Sequence, residues 1–311
     1  MPRLIHADAK DWIELGDLVE MLNSGPFDPE DEECVAEWGP SLKRLANNRR
    51  FLGDLIIEEL KQRCAGQIES NHYNAQVVLL HKTPSFVLRA NFWPAEEDSA
   101  IANGDRGQFF YDLPHDHNFT FVTAGYHGPG YWSDYYEYDF DRVTGHPGEK
   151  VDLRFVERSR LEEGKVMLYR KHLDVHCQLP PDALSVSLNI VALSPATDFL
   201  DQYRFDLRRS EVAGIVNHSA LETLIRLAAH CGGDTGRDLV EECAARHPSG
   251  RVRFAALQAK ASLLSDPDSR IALFDDVAAR TNGLVGAMAV HEAERLRTTK
   301  AWIEAGPPPV G

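Results

Sequence analysis

The stretch "LPHDHNF", residues 113–119, sets His115 and His117 two positions apart. In extended backbone, side chains at that spacing leave the chain on the same side, so both imidazoles can reach one point. Further along, "LEEGKVMLYRKHLDVHCQ" carries His172 and His176. His176, just before the turn into the closing strand, is the expected third ligand, and His172 is its rival on the same face. Three neutral imidazoles leave a divalent ion its full charge and leave several of its positions open, which suits a small anionic donor with O2 beside it. Fe(II) suits such a donor set and such reactants. Zn(II) with three histidines and a water is the alternative, and that set activates water for hydrolysis. Glu137 in "YYEYDF" is placed to join or support the shell.

Other side chains could act on a substrate. In "GYWSDYYEYDFD" alternation puts Tyr131, Ser133, Tyr135, Glu137 and Asp139 on one face, and Tyr131 and Tyr135 are the candidate catalytic phenols. Arg89 interrupts the apolar strand "SFVLRANFW", where a guanidinium needs a partner: a substrate carboxylate, or an Asp or Glu of the chain. Gly125, Gly128 and Gly130 around His127 allow unusual backbone angles in a turn. Cys177, next to the third histidine, faces the other way and reads as a buried inert thiol.

These residues need a scaffold, and the chain changes texture three times. From Ala9 to Cys64 apolar residues recur at helical spacing: Trp12, Leu15, Leu18, Val19 and Leu22 in one stripe, and Leu42, Leu45, Leu52, Leu55, Ile56 and Leu60 in another, separated at "NSGPFDPEDEE". From Asn74 short β-branched and aromatic runs follow one another without helical spacing between them, which points to an antiparallel β domain, closed or sandwiched. After Arg209 helical spacing returns in five segments broken at "GGDTG", "HPSG", "SDPD" and "TNG". The expected organisation is a helical segment over 1–73, a β domain over 74–208, a helical bundle over 209–303 and a loose tail over 304–311.

The charge of −15, from 33 basic and 48 acidic residues, repels a phosphate backbone and speaks against nucleic acid as a partner. Five scattered cysteines without a C-x-x-C suit a reducing cytoplasm. The N-terminus carries acidic residues early with no apolar targeting core, and no run approaches eighteen apolar residues, so no membrane association is expected. A homodimer is compatible with all of this.

The His-x-His pair, the Gly-led strand ending in a further histidine, and the closing apolar strand together resemble the cupin superfamily. Within it, "PHDH", "GKVMLY", "VH" and "SVSLNIVALSP" are similar to the cysteine dioxygenase type of thiol dioxygenase. The resemblance implies an α+β chain: a double-stranded β-helix, or jelly-roll barrel, between the two helical regions, with Fe(II) on His115, His117 and His176. The carboxylate usual after the first cupin motif is absent, since Thr120, Phe121 and Val122 stand there. On the closing strand, where the family presents Ser, His and Tyr to substrate and oxygen, this chain has Ser187, Asn189 and Val191. Ser187 and Asn189 are therefore expected substrate contacts beside Arg89 and Tyr135. The implied activity is an iron-dependent dioxygenase acting on a small anionic molecule with O2. The alternatives are a zinc hydrolase or isomerase, and a non-catalytic or sensory cupin whose helices bind protein.

Overall fold

The computed structural model describes residues 2–102, 106–217 and 219–305. Strand β1 (Arg3–Ile5) precedes helices α1 (Leu15–Ser24), α2 (Glu32–Ala36), α3 (Gly39–Asn47), α4 (Phe51–Lys61) and α5 (Ala65–Ser70). The β-rich stretch then gives β2 (Val77–Lys82), β3 (Phe86–Trp93), the short helix α6 (Ser99–Ala102), β4 (Phe121–His127), β5 (Trp132–Glu137), β6 (Arg154–Arg160), β7 (Val166–Tyr169), β8 (Asp174–Leu179), β9 (Ser185–Ala192), β10 (Tyr203–Asp206) and β11 (Glu211–Ile215). Helices α7 (Ala220–Cys231), α8 (Gly233–Arg246), α9 (Gly250–Ser262), α10 (Pro267–Arg280) and α11 (Gly283–Ala305) complete the chain.

The strands form antiparallel sheets: one of six in the order β1-β7-β4-β9-β3-β2, one of three in the order β6-β5-β8, and the pair β10-β11. Among the described residues they do not close into a barrel. β1 and β2 end the large sheet and β6 ends the small one, and no strand ladder joins those edges. The result is mixed helix and open antiparallel sheet.

Alternation along the strands gives the large sheet two buried faces. Leu88, Ala90, Val122, Leu168, Leu188 and Ile190 point outward into a core shared with Leu18, Leu22, Leu42 and Leu45 of the N-terminal helices. Each such aliphatic side chain contributes about 1.5–3 kcal/mol by leaving water, so these helices and the sheet stand or fall together. Val87, Trp93, Phe121, Met167, Tyr169 and Val191 point the other way, against Tyr131 and Tyr135 from the smaller sheet.

Several local expectations are revised. Trp12 lies outside the first helix and is 57% exposed, because α1 starts at a capping box in which the Glu14 amide donates to Asp17 at 3.0 Å. The second apolar stripe is two helices: Asn48 accepts from the amides of Arg50 at 3.1 Å and Phe51 at 3.2 Å and restarts the chain. The break at "GGDTG" narrows to one residue, Gly232, since α7 ends at Cys231 and α8 already begins at Gly233. Gly236 sits where α8 crosses α7, and a Cβ there would meet the Ala228 carbonyl oxygen at 2.2 Å.

The chain divides into two compact units, residues 1–140 with 150–213, and residues 141–149 with 214–311. The second unit is built on α9, whose Phe254, Leu257 and Ala261 pack with Phe274 and Val285 while Val252, Ala256 and Ala259 pack with Ile225 and Val240. From residue 306 the expected tail lies outside the described residues. Among the described residues no helix is long and apolar enough to cross a membrane.

Candidate metal centre

His115 lies in an extended segment ahead of β4 and is zipped to β8 by two backbone bonds. Its amide donates to the His176 carbonyl at 3.0 Å, and the His176 amide returns the bond at 2.9 Å. On its other side the segment meets β10, with Asp116 N–H donating to the Tyr203 carbonyl at 3.1 Å and Phe205 N–H to that of Pro114 at 2.9 Å. Asp116 points away from the histidines. It accepts from the Tyr138 hydroxyl and from the Tyr203 amide, each at 2.6 Å, and burial pushes its carboxyl up to about 7. With Asp116 held behind, His115 and His117 turn together toward the space between the sheets.

All three rings are buried, at 2%, 7% and 2% exposure for His115, His117 and His176. His176 Nε2 lies 3.0 Å from His117 Nε2 and 3.2 Å from His115 Nε2. With metal–nitrogen bonds of about 2.0–2.1 Å, adjacent ligands stand about 3.0 Å apart at a right angle and about 3.4 Å apart at the tetrahedral angle. The observed separations fall in that interval, and the donor set fits a divalent ion. Protonation agrees. His115 Nδ1 is 2.7 Å from the Leu113 carbonyl and must donate to it, which leaves Nε2 bare. Burial holds His115 down at about 4. Burial first, then the neighbouring basic groups, His115 for both rings with His176 and Arg89 as well for His117, press His117 and His176 well below the ordinary range. At neutral pH the three rings are uncharged; Nε2 is bare on His115, while on His117 it is Nδ1 that faces an amide donor, Gln202 Nε2 at 3.4 Å, and His176 Nδ1 has no hydrogen-bond partner among the described residues.

The inner face of the large sheet supplies the surroundings. Arg89, Asn189, Thr123 and Met167 lie in one row across β3, β9, β4 and β7. Asn189 accepts from Thr123 Oγ1 at 2.8 Å, and Ser187 accepts from Trp93 Nε1 at 3.0 Å. Arg89 finds no carboxylate among the described residues. Its guanidinium lies over the Tyr73 ring at 5.2 Å, and its buried Nε has no hydrogen-bond partner. Tyr131 stacks on Trp93 with centroids 3.9 Å apart. Tyr135, the cross-strand neighbour of His176, shares a 2.8 Å hydroxyl contact with Tyr169. Burial pushes Tyr135 up to about 12 and raises Tyr131 and Tyr169 as well, so all three phenols keep their protons.

Two of the alternatives weighed on sequence lie elsewhere. Glu137 pairs with Arg154 at 2.5 Å and Arg170 at 3.2 Å, because it ends β5 beside those cations. His172 adopts φ 57°, which turns its ring out of the strand face onto Phe140 at 3.7 Å, with Nε2 donating to the Asp201 carbonyl at 3.0 Å. Cys177 is buried on the opposite face of β8, its thiol pushed up to about 12 by burial. Gly128 and Gly130 have positive φ, as a turn there requires, but Gly125 lies within β4 and is small for a different reason: a Cβ would meet the Glu162 carbonyl oxygen at 2.1 Å.

Sequence reasoning missed Tyr169 and Gln178 as site residues. Tyr169 lies 5.0 Å from the His176 ring and stacks on Phe121 at 4.5 Å. Gln178 Nε2 is 3.0 Å from His176 Nε2. The period of two along "DVHCQL" would have found Gln178, whereas Tyr169 needed the register of β7 against β4.

His172 gives a pH test. Burial lowers it from 6.5 to about 4, so as pH falls through that window the unfolded chain takes a proton that the folded chain refuses. Stability is complete above pH 6.5 and drops by at most about 3 kcal/mol toward pH 4 from this group. His172→Asn, which tolerates the positive φ, is expected to melt with a shallower acid slope than the parent across a pH series. Parallel slopes would remove His172 as the titrating group.

No protein-family model matches the chain, and no curated protein matches it. Partial overlays exist among solved structures. A hydroquinone 1,2-dioxygenase with cadmium and 4-hydroxybenzonitrile is 11% identical at a TM-score of 0.25, covering 42% of this chain and 71% of its own. A DMSP lyase from Ruegeria pomeroyi is 9% identical at 0.23, covering 63% and 83%. A prolyl 4-hydroxylase from Phytophthora capsici is 13% identical at 0.23, covering 80% and 72%.

Proposed function

We propose that the protein is a mononuclear non-haem Fe(II) oxygenase of cupin type that takes a small anionic substrate and O2. One observation carries the proposal: three uncharged imidazoles are buried between two sheets with their ligand atoms within 4.8 Å of one another, and His176 Nε2 lies 3.0 and 3.2 Å from those of His117 and His115, the separations of adjacent metal ligands. Held by His115, His117 and His176, iron would supply redox chemistry toward an anionic donor and O2.

The remaining work falls to the protein. Arg89, a cation on the inner face with no carboxylate partner among the described residues, attracts the anionic end of the substrate and orients it. Phe119 and Phe121, each with its ring 4.9 Å from that of His117, keep water from that side. The hydroxyls of Tyr135 and Tyr169 hold protons beside His176 and can pass one to a developing anion.

Protein made in iron-supplemented medium and purified without oxygen is expected to carry near-stoichiometric iron. It is expected to consume O2 with some member of a panel of small thiolates and carboxylates, and not with the matching neutral esters. Metal-free protein under those conditions would sink the proposal, and full zinc occupancy without oxygen uptake would assign the centre to water activation.

A further inference from the structure

Gln178 follows His176 by two residues on β8, and both side chains leave the strand on the same face. The residue is 4% exposed. Its Nε2 lies 3.0 Å from His176 Nε2, while its Oε1 is buried without a hydrogen-bond partner. A buried acceptor left unpaired costs about 1–3 kcal/mol, and among the described residues the only contact that sets the amide's orientation is its donation to His176. The contact it does make also competes with metal binding. His176 Nε2 has a single lone pair, which can accept from the amide or bind an ion, but not both.

Loading the centre therefore releases the amide. A half-turn about its last torsion exchanges Nε2 for Oε1 without changing the shape of the group. The oxygen then stands about 3.0 Å from His176 Nε2, the spacing of adjacent ligands. We infer that Gln178 is the fourth protein ligand, through its amide oxygen, to the ion held by His115, His117 and His176. The inference rests on the metal-centre reading above and sharpens it. A neutral oxygen donor leaves the ion its full positive charge, so an anion is still recruited. A fourth protein ligand would leave the ion fewer places for substrate, which favours anions that bind through a single atom over chelating ones.

The test uses Co(II) titrated into metal-free protein under exclusion of oxygen, with affinity read by chelator competition and coordination by the visible ligand-field bands. Gln178→Leu is expected to bind Co(II) about tenfold more weakly or worse, with stronger bands as the coordination number falls. Gln178→Glu, which keeps an oxygen and adds charge, is expected to bind more tightly than the parent with the parent's band intensity. If the leucine variant fails to fold, the glutamate variant decides: unchanged affinity there overturns the inference. Parental affinity and spectra in both variants would show that Gln178 is no ligand while leaving the three-histidine centre intact. A parent chain that takes up no Co(II) would overturn both.

Discussion

His176→Ala is expected to lower metal affinity by on the order of a hundredfold or more, so that the variant leaves purification almost metal-free, and His115→Ala is expected to do the same. The effect is large because no carboxylate stands within the cluster to replace a lost ring: the group of mutually close ligand atoms is His115, His117 and His176 alone among the described residues. His172→Asn is the matched control. Its ring packs on Phe140 outside the cluster, and this variant is expected to keep the parent's metal. Each protein would be analysed by elemental mass spectrometry after checking its fold by circular dichroism. Equal metal in His176→Ala and parent, with both folded, would dissolve the centre.

Gly130→Ala is expected to destabilise the first unit by about 4 kcal/mol or more, the range reserved for changes the fold cannot absorb. Gly130 has φ +84°, and a Cβ there would lie 2.0 Å from the Leu161 carbonyl oxygen. Neither strand can step aside cheaply, since Gly130 N–H donates to Ser185 Oγ at 3.0 Å and Leu161 N–H to the Tyr131 carbonyl at 3.1 Å. Gly148→Ala separates the two contributions. Its φ is +86° but nothing lies within 4 Å of the added carbon, so only the left-handed backbone penalty of roughly 1–2 kcal/mol remains. Equal losses in urea unfolding would mean that the entry to β5 yields easily.

What could be read from the sequence follows from the range of the interactions involved. Alternation is local, so "SFVLRANFW" and "SVSLNIVAL" announced β3 and β9. Helical spacing likewise announced α7 to α11. The break between α3 and α4 was also local, in the capping side chain of Asn48, but the continuous apolar spacing on both sides masked it. β1 was out of reach: three residues carry no period, and the strand exists because Arg3 to Ile5 lie against Val166 to Leu168. Whether the sheets closed depended on such long-range pairings, and so did the lack of an acidic partner for Arg89 among the described residues. Choosing between His172 and His176 required a backbone angle, since the positive φ at His172 is what takes its ring off the shared face.

Asp116 stands between two of the imidazoles yet is tied to Tyr203, 87 residues along the chain. The gap between neighbouring rings is thus set from behind by a distant hairpin, much as a bolt through a wall fixes a bracket on its far side. A fragment that contains every histidine of the centre but stops short of β10 lacks the fastening that holds two of them at their working separation.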